Sequence, residues 1–362
     1  MQKNNNISSQ TPFDRVLIAR FSALGDVAMT IPVIYSVCND NPHTRFMMLT
    51  QSVAASLFIN APDNLQVMGI KTADYKGLGG LFRLYKEIKA NFDPQAFVDL
   101  HGVIRTYILS LFFVTSGVKV QHIDKGRAGK RALTRRRGKR LLPLISSRTR
   151  YREVFHRLGF EFKYEFLSLF GEQKAPLNTI DDITLPRADA DEKWIAIAPF
   201  AKHKGKIYPL GKMEQVVDAL SQRPGVKLFL FGAGNEERDI LAQWETKYPN
   251  TTSLAAKRYG FAKELALLSN CDVMVSMDSA NMHLSSLVNL PVVSIWGATH
   301  PYCGFLGFRQ EESNAVQLNM PCRPCSVFGN KPCATRDYYC LDGIRPEMIL
   351  NAIEKVLSNK IR

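Results

Sequence analysis

The sequence predicts an α/β protein made of two units, each built on a parallel sheet. Three observations predict it. Short apolar, β-prone runs alternate with helical stretches through both halves of the chain. The stretch from Cys271 to Pro301 reads as strand, sharp turn, helix and strand, a crossover that requires parallel neighbours. A polar stretch bearing Pro176, Pro186 and several aspartates divides the halves. With 362 residues at 46% hydrophobic content the chain can bury two cores. The predicted organisation is a disordered N-terminus over 1–12, an N-terminal domain over 13–175, a linker over 176–193, a C-terminal domain over 194–344 and a closing helix over 345–362.

The first residues, MQKNNNISSQ, are polar and lack an apolar signal core, and no apolar run reaches the length of a membrane span. The expected compartment is the cytoplasm. Arg15 to Ala19 is the first buried strand. It runs into R-F-S-A-L-G-D-V-A-M-T-I-P, residues 20–32, where Gly25 permits a tight turn, Asp26 sits at a helix start and Pro32 falls in the first turns. A strand over Arg45 to Thr50, a helix over Ser52 to Ile59, a strand over Leu65 to Ile70 and a helix over Leu81 to Ala90 follow. The strand Ala96 to His101 opens into D-L-H-G-V-I-R-T. That puts Asp99, His101 and Arg105 at the carboxyl edge of the sheet, where open α/β folds hold ligands.

From Lys119 to Arg152 there are thirteen Lys and Arg against one acid, Asp124, and the whole chain carries a formal charge of +14. Such a run is either a solvated loop or a mobile segment that attracts an anionic partner. No aromatics are interleaved for base stacking, so nucleic acid is the weaker partner. Y-R-E-V-F-H-R-L-G then reads as a helix stopped by Gly159.

The second half repeats the alternation. Trp194 to Phe200 is a strand that leads into A-K-H-K-G-K-I-Y-P-L, and Val226 to Gly232 is a strand that leads into G-A-G-N-E-E-R. A helix over Phe261 to Leu268 precedes the strand Asp272 to Met277. Asp278 and Ser279 are N-cap types at the next helix start, and His283 lies one turn in. Pro291 closes that helix before the strand Val292 to Trp296. A helix N-terminus at the carboxyl end of a parallel strand is a ready anion site; the residue types leave open whether Asp278 only caps and His283 only packs. Seven cysteines without an export signal argue against a disulfide framework. Cys322, Cys325, Cys333 and Cys340 are spaced C-x2-C-x7-C-x6-C, compatible with zinc but without a second C-x-x-C, so buried or redox-labile thiols are favoured. The last helix runs from Arg345 to about Leu357.

The segments D-S-A-N-M-H-L and P-V-V-S-I-W-G-A-T-H-P, with R-F-S-A-L-G-D, D-L-H-G-V-I-R-T and K-I-Y-P, resemble the signatures of glycosyltransferase family 9, the lipopolysaccharide heptosyltransferases. The likeness spans nearly the whole chain. It departs at Ala280, where Gly is usual, and at Tyr208, where Trp is usual. The resemblance implies a GT-B fold: two facing Rossmann-like domains with a C-terminal helix crossing back. It implies inverting transfer of a sugar, by family heptose from ADP-heptose, to a lipopolysaccharide core or lipid A type acceptor. Asp26 is then the general base. Lys206, Glu236, the backbone of Tyr259, Asp278, Ser279, Ala280 and His283 fall to the donor. Asp99, His101, Arg105, Arg135, Arg136 and Arg137 fall to the acceptor side. No metal or cofactor is required beyond the nucleotide sugar. The partners are a nucleotide diphosphate sugar, an anionic lipid-linked saccharide and the inner membrane surface, met peripherally. Two other functions remain compatible: a non-catalytic anionic-ligand-binding protein on this scaffold, and a transferase of a different nucleotide sugar. A nicotinamide oxidoreductase is disfavoured, because no G-x-G-x-x-G follows the first strand.

Overall fold

The computed structural model describes residues 13–359; the disordered N-terminus expected over 1–12 lies outside them. In chain order the elements begin β1 (Arg15–Ala19), α1 (Leu24–Ala28), α2 (Ile31–Asp40), β2 (Arg45–Gln51), α3 (Ser52–Ala55), β3 (Leu65–Ile70), α4 (Gly77–Asn91), β4 (Ala96–Asp99), α5 (Ile104–Thr115), β5 (Lys119–His122), α6 (Arg127–Thr134) and α7 (Ser147–His156). They continue with β6 (Lys193–Ala198), α8 (Leu210–Ser221), β7 (Val226–Leu230), α9 (Asn235–Lys247), β8 (Thr251–Ser253), α10 (Phe261–Asn270), β9 (Val273–Met277), α11 (Ala280–Leu287), β10 (Val292–Trp296), β11 (Ala315–Gln317), α12 (Tyr339–Asp342) and α13 (Pro346–Asn359).

The chain forms two compact units, divided by space rather than by one cut in the sequence. Of the described residues, the first holds 13–23, then Thr30–Lys125 and Arg148–Phe166. The second holds Leu24–Met29, Gly126–Ser147 and the described residues from Leu167 to Asn359. The short α1 and the basic run around α6 therefore belong with the C-terminal sheet.

The first unit is a five-stranded parallel sheet in the order β3-β2-β1-β4-β5. β1 is central, with Leu17 level with Met47 on one side and Phe97 on the other. Helices cover both faces of such a sheet, so its middle strands read as unbroken apolar runs. α4 and α5 pack together, and their Leu84, Ile88, Leu109 and Phe113 close one core with Leu17, Met47 and Phe97. α4 begins four residues before the apolar periodicity does, because two of its first residues, Gly79 and Gly80, have no side chain to show a period.

The second unit is a six-stranded parallel sheet in the order β11-β10-β9-β6-β7-β8. Ile195 of β6 is level with Leu228 and Val273. α13 lies on this sheet, where Ile349, Ile353 and Val356 join its core beside α8.

In each sheet the chain leaves the middle in opposite directions, between β1 and β4 and between β6 and β9. These are the switch points at which open α/β folds open a crevice beyond the strands' carboxyl ends. The turn after β10, Gly297 to Thr299, borders the second crevice and is held by a residue the sequence did not single out. Arg323 is buried, and its guanidinium donates to the carbonyls of Trp296 and Thr299 and to Gln317 Oε1, each at 3.0 Å. It donates further to the carbonyls of Gly297 and Leu318. One rigid fork satisfies five acceptors, which an ammonium with three donors cannot do. Arg323→Lys leaves at least two of these five acceptors unpaired, at about 1–3 kcal/mol each. The expected result is a loss of about 2–6 kcal/mol in denaturant unfolding monitored by circular dichroism; an unchanged midpoint would show that the clamp carries no stability.

Candidate functional site

The second unit gathers one cluster around the ends of β6 and β9. β9 ends at Met277, and the chain turns through Asp278 and Ser279 into α11, whose N-cap is Ser279 in an extended conformation. The loop after β6 tightens into a short 3-10 turn, Lys204–Lys206. Its last residue reaches across, so that Lys206 Nζ stands 2.9 Å from Asp278 Oδ2. The Asp278 side chain is 3% exposed and that of Lys206 15%. Little water screens the pair, so each charge needs the other. Lys202 and Lys204 are exposed, and Lys204 lies over the Tyr338 ring instead. Of the three lysines, Lys206 is the one fixed at the helix end. Gly329 backs its stem: φ is +74° there, and a Cβ would come within 2.6 Å of Lys206 Cγ. Tyr208, two residues on, is a core residue, fully buried with its hydroxyl donating to Ile344 O at 2.9 Å.

α1 packs directly on α11. A Cβ on Gly25 would meet His283 Cδ2 at 2.8 Å and Ala280 Cα at 3.2 Å. Glycine is thus demanded by close approach, and the contact sets Asp26, the next residue, beside the N-terminal turn of α11. Asp26, Lys206, Asp278, Ser279, Ala280 and His283 are brought together in one unit. The remaining donor candidates line the same carboxyl edge further along. Glu236 is exposed on the first turn of α9, whereas Glu237 turns back to accept the Ala233 N–H at 2.7 Å. Tyr259 lies beyond β8, ahead of α10, with its hydroxyl 3.5 Å from Asp182 O.

The G-A-T-H-P turn completes this region. His300 Nδ1 accepts the Tyr302 N–H at 3.1 Å. Burial, then the charges of Arg323 and Lys139, hold its pKa down to about 4, so it is neutral near pH 7.

The basic run is not a loose loop. It contains α6, with Leu133 fully buried. Lys130 lies over the rings of Phe305 and Phe328. Lys139 Nζ donates to the carbonyls of Pro321, Cys322 and Pro324 at 3.2, 2.7 and 3.1 Å, and the Leu144 and Ser147 N–H groups bond Tyr302 O and Gly304 O. Apolar and carbonyl partners within the unit thus engage part of its cations. Arg135, Arg136, Arg137 and Arg140 stay exposed.

The four late cysteines sit in unlike surroundings. Cys340 is buried and its thiol pushed up to about 11 by that burial. Cys333 is half-exposed and its pKa is lowered, first by the Thr335 hydroxyl at 3.2 Å. Among the described residues no three His, Cys, Asp or Glu side chains stand in position to hold a metal ion.

In the first unit Asp99 is fully buried at the end of β4. It accepts the N–H groups of His101 and Gly102 at 2.8 and 2.9 Å, the Thr106 hydroxyl at 2.8 Å, and lies 2.9 Å from His122 Nδ1. Burial raises its pKa, but the bonds from His122, Gly102, Thr106 and His101 outweigh that and leave it lowered. Asp99 spends both oxygens on the turn and shows none to solvent. His101 and Arg105 are the residues this turn presents. Both meet Phe21, whose N–H is 3.4 Å from His101 Nδ1 and whose ring lies 6.0 Å from the Arg105 guanidinium. His122, which steadies Asp99, has no motif around it and was not legible in the sequence.

The profile of glycosyltransferase family 9 (heptosyltransferase) matches residues 82–333. Lipooligosaccharide heptosyltransferase 2 of Campylobacter jejuni is 21% identical over 342 residues, covering 92% of this chain and 96% of that protein. Among solved structures, a family 9 glycosyl transferase from Veillonella parvula superposes with a TM-score of 0.71 at 16% identity, covering 96% of this chain and 98% of that one. ADP-heptose LPS heptosyltransferase II of E. coli gives 0.66 at 15% identity, covering 96% and 100%. The fold class is therefore GT-B, and the chain belongs to glycosyltransferase family 9, the heptosyltransferases, as a nucleotide-sugar-dependent transferase.

Proposed function

We propose that this transferase moves heptose from ADP-heptose, with inversion, to an acceptor of the lipopolysaccharide core or lipid A type. The observation that carries the reading is the packing of Gly25 on Ala280 and His283, which sets Asp26 beside a helix end suited to a diphosphate. Inverting transfer needs a carboxylate to take the acceptor hydroxyl proton while the anomeric carbon is attacked from the face opposite the leaving group. Asp26 has that role in this reading. The departing ADP carries negative charge. Lys206 is already held at the end of α11, and the N–H groups of Ser279 and Ala280, with His283, complete an anion cradle that costs little reorganisation. Asp278 fixes the ammonium rather than the sugar. Glu236 receives ribose hydroxyls, and the Tyr259 backbone meets adenine. Charge neutralisation by these groups is the reason no divalent ion is assigned.

On the acceptor side, His101 and Arg105 contact the sugar or its phosphates, and Asp99 acts through them by holding their turn. Arg135, Arg136 and Arg137 are the exposed cations left for acceptor phosphates. The acceptor is an amphiphile, so the enzyme works peripherally at the inner face of the membrane.

The decisive experiment is incubation with ADP-heptose and a lipid A type acceptor, reading ADP release and the anomeric configuration of the product; a retained configuration would overturn the mechanism. Asp26→Asn keeps the shape and cannot take a proton. Turnover should fall about a hundredfold or more while ADP affinity holds, and a variant turning over like the wild type removes Asp26 from the chemistry.

Calorimetry tests the cradle. Lys206→Gln should weaken ADP binding about tenfold and leave adenosine unaffected, since the charge-assisted bonds lost go to phosphate. Equal weakening of both ligands would put the phosphates elsewhere. Arg135, Arg136 and Arg137 changed together to Gln should raise the acceptor KM about tenfold and leave the slow hydrolysis of donor untouched. Lys139 is excluded from that set because it holds the fold. A lowered donor hydrolysis would assign the three arginines to the donor instead.

A further inference from the structure

We infer that the outward face of α5, with the adjoining part of α4, is the surface on which the protein lies on a membrane bearing anionic lipids. This deepens the reading above and rests on it only for the acceptor being held in a bilayer. The surface itself is read from the first unit.

α5 has the sequence I-R-T-Y-I-L-S-L-F-F-V-T, with one charge, Arg105. Leu109 and Phe113 enter the core beneath it. A helix lying on a sheet ordinarily turns charged residues outward. Here the outward arc repeats at intervals of three, four and three: Ile104 is 79% exposed, Tyr107 46%, Leu111 59% and Val114 53%. α4 widens the patch with Leu78 and Phe82, and the Phe82 ring meets Phe112 of α5 edge-on at 5.3 Å. Six exposed apolar side chains on two adjacent helices form a patch rather than a scatter, and patches of that kind mark interaction surfaces.

The charge around the patch names the occupant. α4 carries Arg83 and Lys86, and Lys76 precedes it, while its Lys89 is already paired with Asp93 just beyond the helix. Its single acid, Glu87, is engaged by the Tyr75 hydroxyl at 2.6 Å and by Arg83 at 3.8 Å. Lys86 Nζ lies 4.8 Å from the centre of the Phe82 ring, an apolar body with a cationic tip at its margin. A second copy on a two-fold axis would bring the same cations against themselves. An anionic lipid surface neutralises them while its acyl boundary takes the apolar arc. α5 is about 18 Å long at ~1.5 Å per residue, well short of a ~30 Å hydrocarbon core, and no described helix is long and apolar enough to cross a membrane. The helix therefore lies in the interface plane.

The test compares the wild type with the double variant Ile104→Ser, Leu111→Ser. Sedimentation is measured with phosphatidylglycerol–phosphatidylethanolamine vesicles and with phosphatidylcholine vesicles. Thermal melts, solution mass and ADP-heptose hydrolysis are recorded in parallel. The wild type should sediment with the anionic vesicles and release with salt, and the double variant should lose about tenfold or more in partitioning, with melt and hydrolysis unchanged. If that variant misfolds, Arg83→Gln with Lys86→Gln, both exposed, should still lower anionic binding severalfold.

The inference is overturned if the wild type stays in the supernatant, binds phosphatidylcholine equally well, or loses no binding in either variant. It is equally overturned if the double variant splits a wild-type dimer while vesicle binding persists, which assigns the patch to a second copy. Donor turnover without variant-sensitive vesicle binding sinks this surface alone. Variant-sensitive binding without turnover of ADP-heptose sinks the transferase reading alone.

Discussion

The ion pair between Lys206 and Asp278 is the constraint around which the second unit is built. Two charges with little access to water hold together only if backbone and side chains bring them into register, because an unpaired member is costly. The loop after β6 must fold back to deliver the lysine, and the turn after β9 must present the carboxylate. Close-fitting glycine backs the lysine stem, and Arg323 ties the neighbouring turn to the loop that carries that glycine. The cysteine-bearing stretch thus earns a structural role without any chemistry of its thiols.

The first unit solves a similar problem with one charge. Asp99 is enclosed among N–H and hydroxyl donors, and the turn it organises displays His101 and Arg105. In both units a buried carboxylate shapes a turn at the sheet's switch point. Beside each turn stand cations and imidazoles, groups suited to an anionic ligand.

Much of this was legible in the sequence because the strands are short, buried on both faces and bounded by turn residues. The alternation of elements and the βαβ unit around α11 could be read from local patterns, whereas Asp26, Lys206, Asp278 and His283 were singled out through the motifs of the family resemblance. What could not be read depends on contacts distant in sequence. Arg323 looks like one more cation between two cysteines, yet it satisfies carbonyls up to 27 positions away. His122 has no pattern around it. The basic run read as a loop because charge hides the burial of Leu133 and the capture of Lys139 by carbonyls. The outward face of α5 escaped for the opposite reason: apolar residues at helical spacing read as core, and only the fold shows which of them are outside.

The packing of α1 on α11 also governs the order in which the molecule can be completed. The strands of the first sheet are all encoded by residue 122, so that sheet has its strands while the chain is still growing. α1 lies inside the same early stretch, yet its packing partner begins at Ala280. At about 5–20 residues per second, roughly 13 to 50 s of synthesis separate the two. During that interval the aspartate has no helix end beside it. A nascent chain or a fragment that stops before α11 carries Gly25 and Asp26 without the helix on which they pack, so this corner of the second unit forms only late in synthesis.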